Sequence, residues 1–342
     1  MTAGFSATQT NRKYVASFDY QSNLSELRQV IDAKLATLEF GDEPSQLYEA
    51  VRYVLSGKGK RFRPIVVVLT SEIFGGDRLK TLPVALAMEV FHNFTLVHDD
   101  ILDRSQLRRG RETVQVKWDE ATAILTGDFL IGLSTQLLAR ADAAVLPNII
   151  RVYCDTMTAL CEGQAQDMLF ESAAEVSVAE YSAMIEKKTG ALIQGCLELG
   201  GLCGGAADSD LDQLKLIGWH LGRAFQIQDD LLDVIASDPQ WGKPIGNDLV
   251  SGKRTILLLD AIERAKGEDR KFFERALRPG GITKKDIPLA REKMEALGVL
   301  EAARTSVIFH SDQSLQFVKD LPRGKSRDTF EFLIREMQRR VH

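Results

Sequence analysis

Residues 88–114 read MEVFHNFTLVHDDILDRSQLRRGRETV, and both the fold and the chemistry turn on this stretch. Met88, Phe91, Thr95 and Leu96 recur at helical spacing, and at a step of roughly 100° per residue Asp99, Asp100 and Asp103 then share a face. Carboxylates crowded beside an apolar surface repel one another, so the arrangement asks for a cation. A hard, oxygen-seeking ion fits best. Magnesium takes one or two protein carboxylates and completes its shell with water and substrate phosphates, which points to a metal-bridged diphosphate. Arg108 and Arg109 follow within reach, and guanidinium forks suit phosphate oxygens.

The pattern returns in residues 225–233 as FQIQDDLLD, where Asp229, Asp230 and Asp233 repeat the spacing of Asp99, Asp100 and Asp103. A single DDILD is more often a solvated helix end than a metal site. Two copies on two apolar helices, each followed by a basic, glycine-containing loop, make coincidence a poor explanation.

With GKRFRP at 59–64, EVFHNFTLVHDDILD at 89–103, LRRG at 107–110, GQAQD at 163–167, KTG at 188–190, FQIQDDLLD at 225–233 and GKPIGNDLVSGKRT at 242–255, the chain resembles the trans-isoprenyl diphosphate synthases, or polyprenyl synthetases. The motifs stand in that family's order and spacing. The resemblance implies the isoprenoid synthase class I fold, an all-α, single-domain bundle of long helices around a deep central cavity. It also implies that Gly59, Lys60, Arg63, His92 and Arg109 hold isopentenyl diphosphate. Arg108, Lys188, Thr189, Gln226, Lys243 and Lys253 would serve the allylic diphosphate, and the six aspartates would bind Mg2+, three ions being expected and Mn2+ an acceptable substitute. Asp99, Asp100, Asp103, Asp229, Lys188 and Arg108 are the expected catalytic set. Arg61 matches the motif but receives no assigned contact, while Gln164, Asp167 and Phe225 match positions lining the cavity, with plain helix packing as the alternative.

Of 342 residues, 44% are hydrophobic, ample for a large core, and the net charge of -5 offers nothing to nucleic acid. No N-terminal apolar run has signal-peptide length, and no stretch approaches the roughly 20 apolar residues of a membrane span, so a cytoplasmic protein without a transmembrane segment is expected. Cys154, Cys161, Cys196 and Cys203 have no zinc-site spacing and read as reduced core cysteines. His98 reads as a packing residue.

The helical pattern predicts a loose tail over 1–20 and one domain over 21–342. Leu24, Leu27, Ile31, Leu35 and Leu38 mark the first helix; Leu47, Val51 and Leu55 mark the second. The β-branched run after Pro64 reads as a buried helix because no partner strand appears. The organising helix is expected over 79–105, with others at 117–140, 145–172, 177–205, 208–237, 254–277, 284–297, 299–320 and 326–340.

The parts suggest a mechanism: cations neutralise the diphosphate leaving group, the allylic carbon–oxygen bond breaks, and the double bond of isopentenyl diphosphate attacks the resulting cation. Proton loss, with released diphosphate as acceptor, completes a longer trans product, and apolar walls exclude water. Phe94 and Thr95 would meet the growing tail first, with Phe91 and Met88 deeper. By resemblance, an aromatic five positions before an uninterrupted DDxxD is similar to geranylgeranyl (C20) synthases, with farnesyl (C15) as runner-up. A longer-chain synthase ranks below on the same reading of Phe94, a terpene cyclase because it needs no second diphosphate site such as GKRFRP and LRRG offer, and a non-catalytic regulatory subunit because both acidic clusters are intact. A homodimer is the family's usual assembly.

Overall fold

The computed structural model describes residues 19–173, 175–235, 246–278 and 280–339. Helix α1 (Tyr20–Ala36) starts on Asp19, whose carboxylate accepts from the backbone of Gln21 and Ser22, and it buries Leu24, Leu27, Ile31 and Leu35. Tyr20 therefore belongs to the helix, stacked on Phe332, rather than to the expected tail. Helix α2 (Ser45–Leu55) follows, then α3 (Phe62–Ile73). The run Ile65–Leu69 is buried on all sides of α3, which resolves its ambiguous pattern in favour of a helix surrounded by helices.

Helix α4 (Arg78–Leu102) is the organising element. Asp77 caps it by accepting from Leu79 and Lys80, a contact worth about 1 kcal/mol. Met88, Val90 and Phe91 are fully buried, each such side chain contributing roughly 1.5–3 kcal/mol. The helix ends earlier than expected, so that Asp103 is its C-terminal cap, exposed beyond the last turn.

A two-stranded hairpin the pattern did not announce, β1 (Leu107–Arg108) and β2 (Arg111–Glu112), turns through Arg109 and Gly110. Both turn residues have positive φ, 52° and 74°, as a two-residue type I′ turn demands. After α5 (Val114–Lys117) come α6 (Glu120–Leu138), α7 (Leu146–Ser172) and α8 (Val178–Ile185). Helix α6 is long and apolar enough to cross a membrane, contrary to the expectation that no segment comes close. Half of it is buried, packed on α4 and α2.

The helix expected over 177–205 is broken. Between α8 and α9 (Ala191–Gly204) lies a π-helical turn, Glu186–Gly190, whose extra residue re-aims the side chains that follow. Two glycines grip it. A Cβ on Gly163 of α7 would stand 2.3 Å from the Lys188 nitrogen, and one on Gly222 would stand 2.6 Å from the Gly190 Cα. Helix α10 (Asp208–Ile235) carries Gly222 and the second acidic cluster, and α9 packs on both α4 and α10.

Beyond the residues not described come α11 (Asn247–Ser251), α12 (Ile256–Arg264) and α13 (Gly267–Ala276). The helix expected over 254–277 is thus split, because Ala265 is extended and Gly267 has φ of 56°. A 3-10 turn precedes α14 (Ile287–Ala296), followed by α15 (Val299–Asp320) and α16 (Lys325–Gln338). One core gathers residues of α1–α4, α6, α7, α9, α10, α15 and α16; a second forms among α10–α15, so α10 and α15 run through both. All four cysteines are free; the core reading suits buried Cys196 and partly buried Cys203, which packs against the first core, but not Cys154 and Cys161, which are exposed on α7.

Candidate active site

The hairpin organises the basic half. Arg108 points back to α4, where its Nε donates to Asp100 Oδ1 at 2.7 Å, while Arg109 Nη1 donates to the Lys58 carbonyl at 2.9 Å. A Cβ on Gly59 would lie 3.1 Å from Arg109 Nη1, so a side chain there would crowd this arginine. Arg63, the second residue of α3, brings Nη1 to 3.1 Å from His92 Nε2. Arginine only donates, which makes Nε2 the acceptor and leaves the proton on Nδ1, beside Thr95 Oγ1 at 3.5 Å. Burial, then Arg63, Arg109, Arg108 and Arg61, hold the His92 pKa well below the usual imidazole value, so the ring is neutral. Gly59, Arg63, His92 and Arg109 are therefore brought together, with Lys60 in the same turn.

The two acidic clusters lie within electrostatic reach of shared lysines. Asp99 feels Lys188 and Lys253; Lys253 in turn feels Asp248, Asp167, Asp103 and Asp230. Burial would lower the Lys253 pKa, but those carboxylates raise it. Lys188 Nζ donates to Asp167 Oδ2 at 2.5 Å, which ties the π-helical turn to α7. Thr189 Oγ1 donates to Gln226 Oε1 at 2.9 Å, and Gln226 Nε2 passes the connection to Asp230 Oδ1 at 2.8 Å. Lys243 lies outside the described residues.

Within each cluster the carboxylates differ. Asp100 is paired with Arg108. Asp230 accepts from the Tyr181 hydroxyl at 2.9 Å, from Gln226 and from the Ile256 nitrogen at 3.3 Å. Asp233 Oδ2 accepts from the Asp248 nitrogen at 3.1 Å, and its carbonyl accepts from Gly246 at 2.7 Å, so it anchors the start of α11. Among the described residues no side chain pairs with the carboxylates of Asp99, Asp103 and Asp229. Burial first, then the neighbouring aspartates Asp99 and Asp103, push Asp100 up to about 6 against the pull of Arg108. Burial, Asp248 and Asp229 push Asp230 up to about 7 against the hydrogen bonds from Gln226 and Tyr181. Such a field is what a bound divalent cation would relieve. Among the described residues no three His, Cys, Asp or Glu side chains close into a metal cage by themselves.

Phe225 stacks on Phe62 at 6.4 Å, the packing role weighed for it, and the Gln164 side-chain oxygen Oε1 is buried with no hydrogen-bond partner among the described residues. Met88, Phe91, Phe94 and Thr95 are all buried. Phe94 leans edge-on against His98 at 4.9 Å, and Phe91 meets Phe94 at 5.4 Å and Tyr153 at 5.0 Å. The His98 ring occupies a slot left by Gly127, where a Cβ would come within 2.1 Å of Nε2. Sequence reasoning missed Tyr181, Glu89, Asp248 and the role of Arg61. Tyr181 lies outside the quoted motifs, whereas Arg61, Glu89 and Asp248 stand inside them without a readable role, and only their partners reveal it.

Two acidic helices facing a basic patch within an all-helical bundle define a diphosphate-handling prenyltransferase. Residues 44–294 match the family model for polyprenyl synthetase, and the chain belongs to that family. It is 37% identical over 297 residues to a geranylgeranyl diphosphate synthase of Methanosarcina mazei, a match covering 85% of this chain and 90% of the relative. It is 32% identical over 329 residues to a geranylfarnesyl diphosphate synthase of Natronomonas pharaonis, covering 91% and 95%. A polyprenyl synthase structure from Caulobacter crescentus CB15, complexed with calcium and isoprenyl diphosphate, superposes with a TM-score of 0.86 at 28% identity, covering 96% of this chain and all of that one.

Proposed function

We propose that this enzyme condenses isopentenyl diphosphate with allylic diphosphates, ending mainly at the C20 product, geranylgeranyl diphosphate. The observation that carries this reading is the continuity from Arg63, His92 and Arg109, through Arg108, to Asp100 and its neighbours. Two anionic substrates can lie side by side only where a basic patch of this kind abuts a cation site. Asp99, Asp103 and Asp229 would hold Mg2+, which when bound neutralises the diphosphate leaving group.

Lys188 and Lys253 add positive charge on the allylic side, and Arg63, His92 Nδ1–H and Arg109 orient the isopentenyl diphosphate. The allylic carbon–oxygen bond breaks with its electron pair going to diphosphate. The isopentenyl double bond then forms the new carbon–carbon bond, and a proton leaves from the adjacent carbon to the released diphosphate. The Thr189 and Gln226 oxygens lie along the allylic side, and buried apolar side chains keep water from the cation.

The buried stack of His98, Phe94, Phe91 and Tyr153 supports a closed floor and a short product. A C25 product is the second reading, favoured by the geranylfarnesyl relative. A homodimer in the cytoplasm completes the proposal. Incubation with dimethylallyl diphosphate and radiolabelled isopentenyl diphosphate, with magnesium or with excess chelator, followed by chromatography of the dephosphorylated products, tests it. A labelled C20 alcohol that requires magnesium is expected; undiminished turnover in chelator overturns the metal assignment, and a different alcohol overturns the chain length.

A further inference from the structure

Arg61 precedes α3 with φ of 51°, a left-handed conformation that costs a non-glycine residue roughly 1–2 kcal/mol. Its side chain is 5% exposed and spends its whole fork on protein. Nε donates to Asp32 Oδ1 of α1 at 2.7 Å, Nη1 to Glu89 Oε1 of α4 at 2.6 Å, and Nη2 to the Gly57 carbonyl at 2.7 Å. Glu89 is itself 4% exposed, one helical turn before His92. Two other arginines hold the same turn by its carbonyls: Arg109 takes Lys58, and Arg28 of α1 takes Lys60 at 3.3 Å.

A buried ion pair is weak evidence of stabilisation, because desolvation offsets its attraction. A buried fork joining two helices to one main-chain carbonyl is better explained by placement. Gly57 and Gly59 make the 57–60 turn costly to order, at roughly 1–2 kcal/mol per residue. Arg109 is expected to reach toward substrate and Arg28 is half-buried with a single 3.3 Å contact to the turn, which leaves buried, three-armed Arg61 as the fixed point. We propose that Arg61 is a positioning residue for the isopentenyl diphosphate pocket, holding the Gly57–Lys60 turn beside Arg63, His92 and Arg109 so that the ordering cost is met before substrate arrives. This rests on the assignment of that pocket to isopentenyl diphosphate.

Its signature is one-sided. In Arg61→Lys, which keeps the charge and loses the fork, the KM for isopentenyl diphosphate rises roughly ten-fold, the effect of losing one or two charge-assisted hydrogen bonds. The KM for the allylic substrate and kcat stay within about two-fold. Asp32→Asn weakens only the arm whose partner is 47% exposed, so the fold is retained and a smaller shift in the same constant follows. This variant decides the matter if Arg61→Lys does not fold. Both Michaelis constants rising together, or a lowered melting temperature with both constants unchanged, overturns the proposal. Arg63→Ala run in parallel separates the two layers. If it leaves the isopentenyl KM unchanged, the pocket assignment fails; if it raises that KM while Arg61→Lys and Asp32→Asn do not, only the role of Arg61 fails.

Discussion

The two acidic clusters are spelled alike, DDILD and DDLLD, and are built differently. The first sits where α4 runs out: Asp103 is already past the helix and exposed, and Asp100 is matched by a guanidinium. The second sits inside α10, where Asp230 and Asp233 are 3% and 4% exposed and are held by a phenol, an amide and backbone N–H groups. Neutral donors can fix a carboxylate without cancelling its charge. A guanidinium does both. The first cluster therefore ends in an exposed carboxylate and is screened by Arg108, whereas the second is a buried wall of negative potential whose least buried member is Asp229.

The largest expected effect tests what the clusters share. Asp99→Ala and Asp229→Ala each lower kcat by roughly a hundred-fold or more while circular dichroism retains the helical signal. Turnover in either variant near that of the parent enzyme would break the equivalence of these two aspartates, the first of each cluster.

A second pair of substitutions probes where they differ. Asp233→Ala removes the anchor of α11, so it lowers stability by about 1–3 kcal/mol, read by denaturant unfolding, whereas exposed Asp103→Ala lowers activity with stability nearly unchanged. Tyr181→Phe deletes one neutral donor to Asp230 and has an intermediate effect, roughly ten-fold in kcat. Equal stability losses for Asp233→Ala and Asp103→Ala would mean that burial does not divide the clusters.

The next comparison concerns the basic sides that flank them. Lys60→Ala and Arg63→Ala raise the KM for isopentenyl diphosphate more than that for the allylic substrate, and Lys188→Ala does the reverse, by several-fold to about ten-fold. Steady-state kinetics with each substrate varied in turn reads this directly.

The smallest effect on rate is the most visible in product. Phe94→Ala removes the ring leaning on His98 and lengthens the product by one or more C5 units while kcat changes by less than about ten-fold. Chromatography of the alcohols checks it, and an unchanged distribution moves the floor to Phe91 and Tyr153.

Local pattern alone carried the helices, because apolar spacing along α1, α4 and α10 is a property of neighbours in the chain, and it carried the aspartates, because their spacing places them on one helical face. It overran at Asp103, at Ala265 and at the π-helical turn. There the chain leaves the α-helix for reasons set by other segments, such as Gly163 and Gly222 closing on Lys188 and Gly190. Likewise the hairpin that aims Arg108 and Arg109 is two residues per strand, too short to show a period. What the tertiary structure alone decided is the division of labour within like-spelled motifs. Asp230 differs from Asp229 only by what lies opposite, Tyr181 from α8 and the Ile256 nitrogen from α12, and Arg61 differs from Arg63 only by Asp32 and Glu89. A residue's type sets which contacts it can make, but its partners lie tens of residues away in the chain, and only folding brings them within hydrogen-bond distance.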